Sequence, residues 1–155
     1  MDNLQEIKFT SENAISKSEG KAYITISGQN HVLFYIKKLS AKIKKKKIDI
    51  RVAGQRGTGH KATSWSGEGE LEIFNITSAY KEIFLDYIHK GIDCYFSIML
   101  TNEDVSTKYG KETKVLTGCN FDEVAIAEFE GDDGVLELSL PFTFEGVELL
   151  SKFNA

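Results

Sequence analysis

The chain has 155 residues, 41% of them hydrophobic and 27% charged, with a formal net charge of -4, two cysteines and one proline. That length suits one domain with a single core, the composition excludes a wholly disordered chain, and no stretch approaches the ~20 apolar residues needed to cross a bilayer. The opening MDNLQEIKFTSENA has no basic segment followed by an apolar one, so synthesis and first folding in the cytoplasm, without a membrane anchor, are expected.

Residues 1–17 are polar and weakly patterned and read as an arm, flexible or ordered by partners; 18–155 read as the folded domain. KAYITISGQN alternates Ala22, Ile24 and Ile26 against Tyr23, Thr25 and Ser27 and then turns at Gly28-Gln29-Asn30, which signals a strand and a hairpin. HVLFYIKKLSAKIKKKKIDIRVAG continues extended, with Leu39, Ala41 and Ile43 on one face and Ile48, Ile50 and Val52 on another. The lysines between them mark a turn, a bulge or a protruding end. GELEIFNI alternates Leu71 and Ile73 against Glu70, Glu72 and Phe74 and reads as a half-buried strand. In TSAYKEIFLDYIHKG the period changes. Tyr80, Ile83, Phe84, Tyr87 and Ile88 form a helical stripe, with Thr77 or Ser78 as the cap at its start and Gly91 as a left-handed stop. CYFSIML and TKVLTGCNFDEVAIAEFE read as strands around a TNEDVSTKYGKET hairpin loop; a Gly131-Asp132-Asp133-Gly134 turn leads into VLELSLPFTFEG. Pro141 lacks a ladder donor and places its strand at an edge or a bend. The closing VELLSKFNA is apolar enough to dock. The fold class is mainly β, an antiparallel sandwich or barrel with one flanking helix.

The stretch VAGQRGTGHKATSWSGEG raises the question of a phosphate loop, because Gly54 and Gly59 have the spacing of G-x-x-x-x-G-K-[ST]. His60 stands where the lysine belongs, Lys61 comes one place late, and a strand rather than a helix follows, so no helix N-terminus would face the anion. The expectation is instead a long sheet-connecting loop from Gly54 to Gly69. Its Arg56, His60, Lys61 and Trp65 make a subunit-contact loop, since tryptophan and arginine are common interface anchors. The alternative for Trp65 is that it folds back onto its own core.

Charge is segregated along the chain. From Lys37 to Lys61 ten basic residues face only Asp49, whereas between Lys114 and Lys152 there are nine carboxylates and no lysine or arginine. Three readings of Lys44, Lys45, Lys46 and Lys47 stand: a solvated turn, a docking surface for an acidic partner, or a nucleic-acid contact through counterion release. The pI of about 5.4 and the lack of interleaved aromatics argue against the last. Cys94 and Cys119 lack metal or redox spacing and read as reduced core residues. His31, His60 and His89 are scattered, and no Ser-His-Asp set, acid pair or redox motif stands out. No catalytic, cofactor-binding or metal residue is assigned, and an enzyme is not expected.

From about Lys47 to Phe153, the Gly54-Gln55-Arg56 and Thr58-Gly59-His60-Lys61 segments come first, then the glycine-rich run into a strand and the helix closed by Lys90-Gly91. With the Tyr95-Phe96 strand and the PFTFE close, this order resembles the tail-tube proteins of the PBSX-like defective phages and related contractile-tail particles. The resemblance implies a tube fold, six copies per ring, and rings stacked into a hollow cylinder inside a sheath. It also implies baseplate and tail-terminator partners, a place in a virion or bacteriocin-like (tailocin) particle, and a bore that passes DNA without binding it specifically. On this reading the sheet strands join neighbours into an inner barrel and the Gly54–Gly69 loop bridges to an adjacent subunit or ring. The arm and the C-terminal residues complete the stacking, and the lysines face away from the bore. The competing reading is a stand-alone module whose basic segment binds nucleic acid or an acidic protein.

Overall fold

Alternating side chains decide which face of each strand is buried, and that alternation organises the computed structural model, which describes residues 20–26, 29–32, 36–74, 78–129, 131 and 134–154. In chain order the elements are β1 (Gly20–Ile26), β2 (Gln29–Val32), β3 (Ile36–Ile50), β4 (Gly59–Phe74), α1 (Ala79–Lys90), β5 (Phe96–Glu103), β6 (Lys111–Phe121), β7 (Glu137–Phe144) and β8 (Gly146–Ser151). Every pairing is antiparallel. The strand order is β2-β1-β5-β6-β7-β4-β3, with β8 added to β6. The expected arm at 1–17, Gly28, the Thr77 cap and the centre of the Gly131–Gly134 turn lie outside the described residues. Gln29 and Asn30 are strand, paired with Ile26 and Thr25, not turn.

One core joins both ends of this order. Ala22, Ile24, Phe96, Ile98, Leu116 and Cys119 meet Leu71, Ile73, Leu138, Leu140, Phe142 and Phe144. Each large side chain so buried contributes roughly 1.5–3 kcal/mol. β6 links the two groups of strands: most of it pairs with β5 and β8, while only Asn120 and Phe121 pair with β7. The sheet does not close into a barrel, because its end strands β2 and β3 do not pair with each other. Pro141 is on an interior strand rather than an edge. Its carbonyl accepts from the Asp122 amide at 2.9 Å, and its missing N–H faces that same side, just where the pairing with β6 stops.

Helix α1 ends as the sequence indicates: Gly91 has φ 70° and donates to the Tyr87 carbonyl at 2.9 Å. Its start differs, since the Ser78 side chain makes no capping hydrogen bond and only its carbonyl accepts, from the Glu82 amide. The apolar stripe is also only half used. Tyr80 is buried and packs edge-on against Phe121 at 5.7 Å, and Phe84 lies 6.4 Å from the same ring. Tyr87 and Ile88, farther along, are 55% and 66% exposed. The sheet surface available to the helix is the Phe96–Phe121 pair, which one end of a three-turn helix covers.

Candidate assembly interface

The expected Gly54–Gly69 loop is mostly strand. Only residues 51–58 connect β3 to β4; His60, Lys61 and Trp65 belong to β4 and Arg56 to the short turn. The glycines of the second half serve packing, not flexibility. A Cβ at Gly67 would collide with the Phe144 ring, and one at Gly69 with the Phe142 ring and the Ser40 carbonyl, so two rings of the core press directly against bare backbone. A serine- and glycine-rich strand forms here because its ladder partners are β3 on one side and β7 on the other, not because its own composition favours a strand.

β7 covers β4 only from Gly67 to Phe74. Beyond that point β3 and β4 continue as a two-stranded ribbon, with Ser66 opposite Lys44 and Gly59 opposite Ile50, and a bulge where Lys46/Lys47 pass Ser64/Ala62. The seven β3 residues from Lys44 to Ile50 give the ribbon a length of ~23 Å at about 3.3 Å per residue. The lysine run is therefore one strand with a bulge in its ladder, not a turn.

The two sets of candidate residues thus lie on facing strands of one element. Trp65 is opposite Lys45, Lys61 opposite Ile48 and His60 opposite Asp49. The Nδ1 atom of His60 lies 2.9 Å from Oδ1 of Asp49. The Trp65 ring lies 6.4 Å from Phe144 at the end of the core and is 47% exposed, so it packs on its own core with about half of its surface left open. Arg56 is exposed in the turn and has no ion-pair partner among the described residues.

Electrostatics divides the ribbon from the sheet. At the base, β3 lysines face carboxylates across the ladder, Lys38 opposite Glu72 and Lys42 opposite Glu68. Lys37 bonds both oxygens of Glu137 at 2.9 Å, and that hydrogen bond, followed by the carboxylate's charge, holds its ammonium above the usual range. Past Glu68 the compensation stops: Lys44, Lys45, Lys46 and Lys47 are opposite Ser66, Trp65, Ser64 and Ala62. The same ribbon exposes Ile43, Ile48 and Ile50, and Val52 is exposed in the connection that follows.

The opposite charge collects after β6. The sequence reads DEVAIAEF as more strand, but β6 ends at Phe121 and residues 122–129 leave the sheet. Asp122 and Glu123 line a shallow groove of about 460 Å³ with Glu68, Glu70 and Lys42. Burial, then the neighbouring Glu123 and Glu68, push the Asp122 carboxyl above its usual range. A second groove of about 470 Å³ lies between α1 and the end of β6, where Asn120 donates to Asp93 and to the Cys94 carbonyl. Among the described residues no group of three or more histidines, cysteines and carboxylates is placed to hold a metal.

The fold is an open antiparallel sheet with one short helix and a projecting charged ribbon, and it is shared with chains found in contractile particles. It superposes with a TM-score of 0.69 on a chain of the six-fold symmetrised anti-feeding prophage baseplate, 13% identical, covering 91% of this chain and 97% of that one. The TM-score is 0.65 for a chain of the extended sheath-tube complex of an extracellular contractile injection system, 10% identical, covering 91% and 94%. A family model described as phage tail tube protein matches residues 7–151, and the chain belongs to that family. It is 33% identical over 143 residues to the phage-like element PBSX protein XkdM of Bacillus subtilis (strain 168), covering 92% of this chain and 95% of the relative. Proteins of this kind are structural components of tails, not enzymes.

Proposed function

We propose that the chain builds the inner tube of a contractile tail or a phage-tail-like bacteriocin by closing into rings of six that stack into a hollow conduit within a sheath. The observation that carries this is the ribbon. A two-stranded hairpin in water is marginal by itself, and this one exposes four unneutralised lysines and a row of apolar side chains. Both become favourable when a neighbouring copy covers them. Heterologous contacts between unlike patches of identical chains close into rings or extend into filaments, and the free edge of β3 suits pairing across subunits.

In this assembly Arg56, His60, Lys61 and Trp65 make the bridge to an adjacent subunit or ring, while Lys44 to Lys47 face away from the bore. Residues 1–17 act as an arm on the domain formed by 18–155 and, with the C-terminal residues, complete the stacking. Sheath, baseplate and terminator proteins are the partners, DNA passes without specific binding, and the chain is made in the bacterial host cytoplasm before taking its place in the particle. Negative-stain microscopy of the concentrated protein, with and without its tail partners, tests the proposal. Rings and tubes are expected; single particles under both conditions would refute it.

A further inference from the structure

Past Asp122, the segment Asp122–Phe129 has no strand partner among the described residues. Its alternation suits a strand, yet beyond the Asp122 amide it makes no ladder with any described residue. Val124 packs against the core and fixes where the segment leaves β6. From there Ile126 is 51% and Phe129 96% exposed, flanked by Glu123 and Glu128. A segment of high β propensity held open in this way is a donor for pairing with another chain.

The distal half of β3 is its counterpart. β3 ends the strand order, so among the described residues its outer edge has no ladder partner, and its lysines there have no carboxylate opposite them. Basic residues with Ile48 and Ile50 on the ribbon match acidic residues with Ile126 and Phe129 on the segment. We infer that Asp122–Phe129 of one copy docks on the distal ribbon of a second copy, its carboxylates set against Lys44 to Lys47 and its apolar side chains against the ribbon's isoleucines.

This inference rests on the tube reading and names the receiving surface within it. Opposite charges placed this way fix register and suppress wrong pairings. The segment gains a ladder, and the lysines gain the counter-charges that Glu68 and Glu72 supply at the ribbon base.

The test is charge reversal in the full-length chain. Glu123→Lys with Glu128→Lys, and separately Lys45→Glu with Lys46→Glu, are expected to raise the protein concentration at which tubes appear by tenfold or more, about 1.4 kcal/mol at minimum. All four changes together are expected to restore assembly. These side chains are exposed, so the circular dichroism spectrum of the monomer should not change. Zero-length carbodiimide coupling of unaltered protein, mixed from two isotope-labelled pools, supplies a readout that needs no variant: the expected product joins Lys44–Lys47 of one copy to Glu123 or Glu128 of another. Tubes that form normally from either reversed pair, no rescue by the combined reversal, or tubes that lack this cross-link would overturn the inference and leave the tube reading standing. Failure of the unaltered protein to self-associate at all would overturn both.

Discussion

Replacing Gly69 by alanine adds one methyl group at a place where there is no room for it. A Cβ there would lie 2.5 Å from the Phe142 ring and 2.5 Å from the Ser40 carbonyl oxygen. Phe142 is fully buried among Leu71, Leu140 and Phe144, and Ser40 is backbone of the neighbouring strand, so neither is the free end of a flexible side chain. Overpacking of this kind costs about 1–3 kcal/mol, offset by only about 0.5–1 kcal/mol from replacing glycine in a strand. The expected net loss is about 1–2 kcal/mol, or a fall in Tm of roughly 2–8 °C for a domain of this size. Gly57 provides the control: it belongs to the same glycine-rich stretch, but nothing lies within 4 Å of a Cβ there. Urea unfolding followed by circular dichroism, with both variants beside the unaltered protein, gives the comparison. If Gly69→Ala and Gly57→Ala unfold at the same midpoint, the glycines are interchangeable spacers and the packing argument is wrong.

Other predictions follow from the same structure. Phe142→Ala removes a fully buried ring that touches the glycine-bearing strand and should cost about 3–5 kcal/mol, read from the unfolding midpoint. Arg56→Ala with Trp65→Ala should leave the monomer folded, because both are exposed, yet impair tube formation seen by microscopy. Burial raises the Cys119 thiol from an ordinary 9.0 to about 12, against a smaller opposing effect from the Ile98 backbone hydrogen bond. Its contribution is fully present below pH 9. Between there and pH 12 the unfolded thiol gives up its proton while the folded one keeps it, so stability falls by up to about 1.4 kcal/mol per pH unit. Cys119→Ala should flatten that alkaline limb in pH-dependent unfolding.

The core strands and the helix stop were legible because each depends on local information. Alternation alone marks Leu71 and Ile73 as inward, and a glycine after a helical stripe marks the left-handed stop at Gly91. The ribbon was not legible. Ser64, Ser66, Gly67 and Gly69 have loop-like composition, and they become a strand only through ladders to residues some twenty positions earlier and seventy later. The need for glycine at positions 67 and 69 rests on Phe144 and Phe142, which no local window contains. For Tyr87 and Ile88 the apolar stripe continues past the surface that the sheet offers, and residues 122–129 have a strand-like alternation yet leave the sheet at Phe121, so among the described residues neither finds a partner that covers it. A pattern reports that a surface is to be covered, not by which molecule. The charge segregation was visible from the sequence; that Lys44 to Lys47 and Trp65 share one ribbon required the register.

A cryo-EM reconstruction of tubes grown from the pure chain tests the central claim most directly. The account expects a six-fold hollow cylinder in which each β3–β4 ribbon crosses from its own subunit onto a neighbouring copy, with Trp65 and Lys44 to Lys47 covered. A different ring symmetry, or tubes in which the ribbon projects into solvent and makes no contact between subunits, would contradict it.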